Sequence, residues 1–175
     1  MLFPFGAAPL GATYVRLGDI DKGLSLLSKS VERAIEMNRM VDFSLLHYWR
    51  SQGELHSGDV ATALKIAERG LEYSITYKGQ GHQAWLLRVL GEVHWRMCEQ
   101  HYAKADGYFR QSLDLASILE MRPLLARCQI GIATLCEKTG KRSEAEAALS
   151  AAQTLCQDMG MTYWLDEIAA ARVRI

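Results

Sequence analysis

The sequence predicts an all-α fold of stacked helix pairs. Three observations carry the prediction. A turn motif recurs four times at nearly constant spacing. After each turn, small and bulky residues recur in one register. No segment shows the strict apolar–polar alternation that marks a half-buried strand.

The recurring segments are Leu17-Gly18-Asp19, Ser57-Gly58-Asp59, Glu99-Gln100-His101 and Thr139-Gly140-Lys141, with turn positions 40, 42 and 40 residues apart. Three of the four turn residues are glycine, which closes a helix in the left-handed conformation without a Cβ clash. Past each turn come the small residues Gly23, Ala63, Ala105 and Ala145, and seven positions later Ser30, Gly70, Ser112 and Ala152. Between them lie Leu27, Ala67, Phe109 and Leu149. This four-then-three spacing is the buried stripe of an α-helix. Small residues at the two ends let neighbouring helices approach, and the position between them supplies bulk.

Taken in order, the pairs are 5–17 with 21–38, 42–56 with 60–78, 83–98 with 103–120, and 124–138 with 144–158. The repeats thus span about 5–38, 42–78, 83–120 and 124–158 of a single domain, 1–175. Pro4 and Pro9 are expected to disturb the first helix. A small residue lies seven positions before the turn as Gly11, Ser51 and Ala133, with Val93 in the third pair. Gly79 and Gly81 mark the break between the second and third pairs. Pro123 suits the first turn of the seventh helix. Ser143 with Glu146 reads as a capping box opening the eighth. A last amphipathic helix at 163–174 carries Tyr163, Trp164, Leu165, Ile168 and Val173, and suits a cap over the final repeat's apolar face.

Composition narrows the function classes. Twenty Lys and Arg balance twenty Asp and Glu, so no net field draws nucleic acid or an anionic membrane. No apolar run approaches the ~20 residues of a membrane-spanning helix. The N-terminus is apolar but short, lacks a basic region and meets Pro4 at once, so it does not read as a secretory signal. It starts abruptly, as a segment of a longer chain would. Cys98, Cys128, Cys136 and Cys156 form no Cys-x-x-Cys pair, and Cys128 and Cys136 stand too far apart along one helix face to bridge. Buried free thiols in a cytoplasmic protein follow.

No catalytic constellation emerges. No histidine lies three or four places from another, and His94 and His101 fall on different elements, so no metal site is expected. Gly79-Gln-Gly81 follows no strand, and Gly140-Lys141 precedes Arg142 at a repeat turn, so neither is a nucleotide loop. Glu32, Glu36, Glu68, Glu72, Glu144 and Glu146 lie beside Lys or Arg, as on a solvated helix face. The expectation is a non-enzyme without cofactor.

The turn with Gly-Asp and the small–bulky–small second helix resemble the tetratricopeptide-repeat (TPR) family, at a spacing longer than its usual ~34 residues. The segments Tyr108–Leu113, Arg122–Gly131 and Lys138–Ala145 further resemble the C-terminal TPR arrays of large bacterial signalling proteins. In those proteins the array is joined to a nucleotide cyclase with an ATPase module, or to a DNA-binding transcription regulator. The resemblance implies a right-handed superhelix of four TPR-like helix pairs plus a C-terminal capping helix. It also implies a non-catalytic protein-interaction scaffold, any catalytic or DNA-binding part lying outside this sequence.

By the same resemblance the first helices line a concave groove that takes a partner's peptide or helix. Carrying the register across places Arg16, Tyr48, Gln52, His56, Leu90, His94, Arg127, Ile130, Thr134 and Lys138 there. One TPR subclass grips the C-terminal carboxylate of chaperones with Lys and Asn at set groove positions. Ala8, Ala12, Tyr48, Gln52, Leu90, His94, Ile130 and Thr134 stand at those places, so that clamp is absent. Two roles are open to Tyr48, Trp49, Trp85, Trp95 and Trp164. Packing between repeats is the commoner, and anchoring a bound segment is the other. A competing reading is self-association, as a homo-oligomer, through Leu2, Phe3 and Phe5 at the uncapped end. A third is a small-ligand sensor.

Overall fold

The computed structural model describes residues 3–38 and 43–174, with side chains from Gly6 onward. Among these residues there are nine α-helices, one short 3-10 turn and no strand. The helices are α1 (Phe3–Arg16), α2 (Ile20–Glu36), α3 (Phe43–Ser57), α4 (Val60–Thr76), α5 (Gln80–Met97), α6 (Tyr102–Ile118), α7 (Arg122–Lys138), α8 (Arg142–Asp158) and α9 (Thr162–Arg174). Each odd helix from α1 to α7 pairs with the even helix that follows it. The odd helices α1, α3, α5, α7 and α9 also touch one another in succession. They form a continuous inner row, with the even helices outside.

The stripe on the even helices is buried at every predicted position, from Gly23, Leu27 and Ser30 on α2 to Ala145, Leu149 and Ala152 on α8. Its small residues are small for want of room. A Cβ on Gly23 would stand 2.6 Å from the carbonyl oxygen of Gly11, and one on Gly70 would stand 2.7 Å from Cβ of His47. Ser112 uses its hydroxyl instead, donating to the Ala84 carbonyl at 2.7 Å and accepting from the Cys128 thiol at 3.1 Å. That chain of bonds ties α5, α6 and α7 together.

The turns close as the glycines predict. Gly18, Gly58 and Gly140 have φ of 92°, 93° and 71°. The next amide of each reaches back to a carbonyl of the last helical turn: Asp19 to Tyr14 (3.0 Å), Asp59 to Glu54 (3.0 Å) and Lys141 to Cys136 (2.9 Å). These bonds satisfy carbonyls that a helix end otherwise leaves orphaned. Asp59 then caps α4 by accepting from the Thr62 amide at 2.9 Å.

The third pair departs from the pattern. Gln100 lies within a 3-10 turn, Glu99–His101, and the chain leaves α5 through Cys98 in extended backbone (φ −170°, ψ 170°). The two additional residues of the longer repeat are therefore taken up after α5, not within it. Counted from Cys98, the small residue seven places earlier is Gly91 rather than Val93, which restores the pattern of Gly11, Ser51 and Ala133.

Other local expectations are corrected. Helix α1 runs through Pro9, which lies in its first half and costs the helix a single amide donor. Helix α8 begins at Arg142, so Ser143 is already inside it and no side chain caps the helix. Glu146 instead receives Arg172 of α9 at 3.0 Å. At the break between the second and third pairs the left-handed residue is Lys78 (φ 56°), while Gly79 has an ordinary negative φ and Gly81 is helical. Cys128, Cys136 and Cys156 are buried, but the extended bend exposes Cys98.

Helix α9 packs on α8 and α7. Its own Ile168 and Ala171 are buried against them, and Arg174 pairs with Glu137 of α7 at 3.3 Å. Tyr163 and Val173 stay exposed. Of the self-association residues, Leu2 lies outside the described residues, and Phe3 and Phe5 are described as helical backbone only.

Candidate protein-interaction groove

The inner row of helices bounds a cleft of about 130 Å³. Helix α1 contributes Arg16. Helix α3 contributes Tyr48, Gln52 and His56, one turn apart along a single face, with Trp49 beside them. Helix α5 adds Trp85 and Arg88, α7 adds Pro123 and Arg127, and Trp164 arrives from α9. Tyr48 is the hinge of the aromatic wall, with its ring centroid 4.9 Å from that of Trp49 and 5.4 Å from that of Trp85.

The floor of the groove is ionic. Arg88, fully buried, donates to Glu92 one turn along α5 at 2.8 Å. Arg127 reaches the same carboxylate at 3.5 Å, and Gln52 donates to it at 3.1 Å. Glu92 thus joins α3, α5 and α7. Burial pushes its carboxyl up, but Arg88, Arg127 and Arg96 outweigh that and hold it at about 2. Arg88 shows the converse: burial favours losing its proton, yet Glu92 keeps the guanidinium charged. Arg127 is shifted down, by burial first and then by the neighbouring Arg88. A buried pair of this kind adds little net stability, but removing one member strands the other.

Arg127 also lies 3.9 Å from the centroid of the Trp164 ring and 3.6 Å from Glu167. Arg16 approaches Trp164 and Tyr163 at 5.7 and 6.0 Å. The first and last helices therefore face each other across the cleft through a guanidinium–indole contact. A second opening, farther along, is lined by Glu92, Trp95, Arg96, Arg127, Ile130, Thr134 and Glu167 among others.

Five of the sequence-derived groove residues, Arg16, Tyr48, Gln52, His56 and Arg127, line the first cleft, and Ile130 and Thr134 line the second with Arg127. Lys138 is exposed at the end of α7 and lines neither. Leu90 and His94 require correction. Leu90 is buried in the apolar cluster around Leu55 and Leu86. His94 is buried with its ring stacked on Tyr108 at 5.3 Å and its Nδ1 2.9 Å from Nδ1 of His101. Burial, then Lys104 and His101, lower its pKa to about 4. Counting back from Gln100 overshoots by the two residues that follow α5. Forty residues on from Tyr48 and Gln52 stand Arg88 and Glu92, the pair that sequence reasoning missed. The signal was there: Gly91, not Val93, continues the small-residue series.

No protein-family model matches the sequence, and no curated protein shows significant similarity to it. Solved structures do match in fold. Aspartyl phosphate phosphatase F from Bacillus subtilis superposes with a TM-score of 0.76 at 15% identity, over 94% of this chain and 43% of that one. A signal transduction ATPase with numerous domains and a tetratricopeptide repeat sensor, from Pyrococcus horikoshii, superposes with a TM-score of 0.72 at 18% identity, over 94% of this chain and 25% of that one. The chain spans less than half the length of either. With its described helices paired in this order around one inner row and α9 at the end, it carries the helical-repeat fold of tetratricopeptide-repeat proteins.

Proposed function

We propose that this chain is a non-catalytic protein-interaction module that holds a peptide or helix of a partner protein in its concave cleft, as part of a larger bacterial signalling protein. The observation that carries the reading is the cleft itself, where Trp49, Trp85 and Trp164 stand partly uncovered around buried Tyr48 on the inner row of helices. Aromatic side chains held this way offer large contact area at low entropic cost, the character of interface anchors. The description of one similar structure as a signal-transduction ATPase with a repeat sensor supports the signalling context.

The test is selection of short random peptides on the full chain, followed by titration of the selected peptides monitored by tryptophan fluorescence. Trp49→Ala and His56→Ala remove groove side chains that are not buried, and circular dichroism verifies that each variant keeps its helices. Selected peptides should bind the parent chain and lose affinity for both variants. Peptides that bind all three proteins equally would refute the groove.

A further inference from the structure

We infer that the segment held in this cleft is acidic. It seats one side-chain carboxylate against Arg16, beside Trp164, while an apolar neighbour lies among Tyr48, Trp49 and Trp85. The inference rests on the groove reading above.

Charge complementarity carries it. Three guanidinium groups, those of Arg16, Arg88 and Arg127, line the cleft, and no Asp or Glu does. Behind the wall, Arg88 and Arg127 share Glu92, and Arg127 also meets Glu167. Those two arginines are largely neutralised. Arg16 is not: among the described residues no carboxylate stands within ion-pair distance of it, and its neighbours are the Tyr163 and Trp164 rings.

The geometry also selects the anion. One uncompensated guanidinium matches a monoanion better than a doubly charged phosphate. The planar fork of Arg16, exposed and 5.7 Å from the Trp164 ring centroid, matches the two oxygens of a carboxylate in a two-pronged bond. The rings of Tyr48, Trp49 and Trp85 carry no charge of their own, which suits an apolar side chain next to the acid.

The experiment resynthesises each selected peptide with every Asp and Glu replaced by Asn or Gln. The amide forms should bind roughly tenfold more weakly, the effect of losing one charged hydrogen-bonded contact. Arg16→Gln should weaken binding of the acidic peptides by a similar factor and leave the amide forms unchanged. Arg110→Gln, on the outer helix α6, should change neither. Equal binding of acid and amide forms, still lost in Trp49→Ala, overturns the carboxylate inference and leaves the groove standing. Binding that ignores Trp49→Ala and His56→Ala, or no selected peptide at all, removes the groove and the inference with it.

Discussion

Glycine-to-alanine substitution inside an exposed helix ordinarily stabilises a protein by roughly 0.5–1 kcal/mol, because alanine loses less backbone freedom on folding. At Gly131 the structure demands the opposite sign. The Phe109 ring, completely buried, touches the backbone of α5 at Gly91 and of α7 at Gly131. A Cβ on Gly131 would stand 2.5 Å from Cε1 and 2.7 Å from Cζ of that ring, and one on Gly91 would stand 2.7 Å from Cδ1. Carbon atoms pack at about 3.5–4.0 Å, so either methyl forces a shift of about 1 Å. The ring cannot yield toward the other glycine, whose backbone blocks that side. Overpacking of this kind costs about 1–3 kcal/mol, which exceeds the propensity gain. Gly131→Ala should therefore destabilise by about 1–2 kcal/mol. Gly107→Ala on α6, where nothing lies within 4 Å of the new methyl, should stabilise by about 0.5–1 kcal/mol. Urea unfolding followed by circular dichroism reads both as shifts in midpoint at unchanged slope. Phe109→Leu combined with Gly131→Ala should recover part of the Gly131→Ala loss, a non-additivity that reports their contact. A Gly131→Ala variant as stable as the parent would refute the clamped-ring account.

Three further outcomes follow from the same structure. Glu120, exposed, holds a left-handed φ of 53° that side chains resist, so Glu120→Gly should raise stability by about 0.5–1 kcal/mol, read as a higher Tm. Glu92 titrates near 2 when folded, against an ordinary 4.5. Between those values the unfolded chain binds the additional proton, so the stability Glu92 provides is complete above about pH 4.5 and lost as pH falls toward 2. That part is worth at most about 3 kcal/mol, and a Glu92→Gln variant, weaker at neutral pH, should show a shallower acid decline in urea midpoints. His94 titrates near 4 instead of 6.5, so here too the unfolded chain takes up the proton first. Stability should fall as pH drops from about 6.5 to 4, by about 1–3 kcal/mol, and His94→Gln should flatten that segment of the profile.

Phe109 shows why the groove was only partly legible in the sequence. Its place in the stripe was evident from spacing, because helical periodicity is a local property. That it needs glycine on both neighbouring helices appears only when α5 and α7 are packed against it. Arg88 and Glu92 illustrate the harder case. Each looks like a solvated charge on a helix until α3 and α7 bring Gln52 and Arg127 to the same carboxylate. Their register was displaced by two residues because a turn lacking glycine gives no local sign of where its helix ends.

What the sequence alone determined is the set of helices, their pairing and the buried stripe, since capping, turn chemistry and the 3.6-residue period act within one or two turns of chain. The tertiary structure decided which side chains converge. It joined α3, α5 and α7 at Glu92, turned His94 inward, and brought Arg16 of the first helix to Trp164 of the last. Contacts between residues so far apart in the chain depend on the accumulated rotation from one helix pair to the next. That rotation is set by the volumes meeting at every interface, a sum over the whole stack that no single repeat encodes.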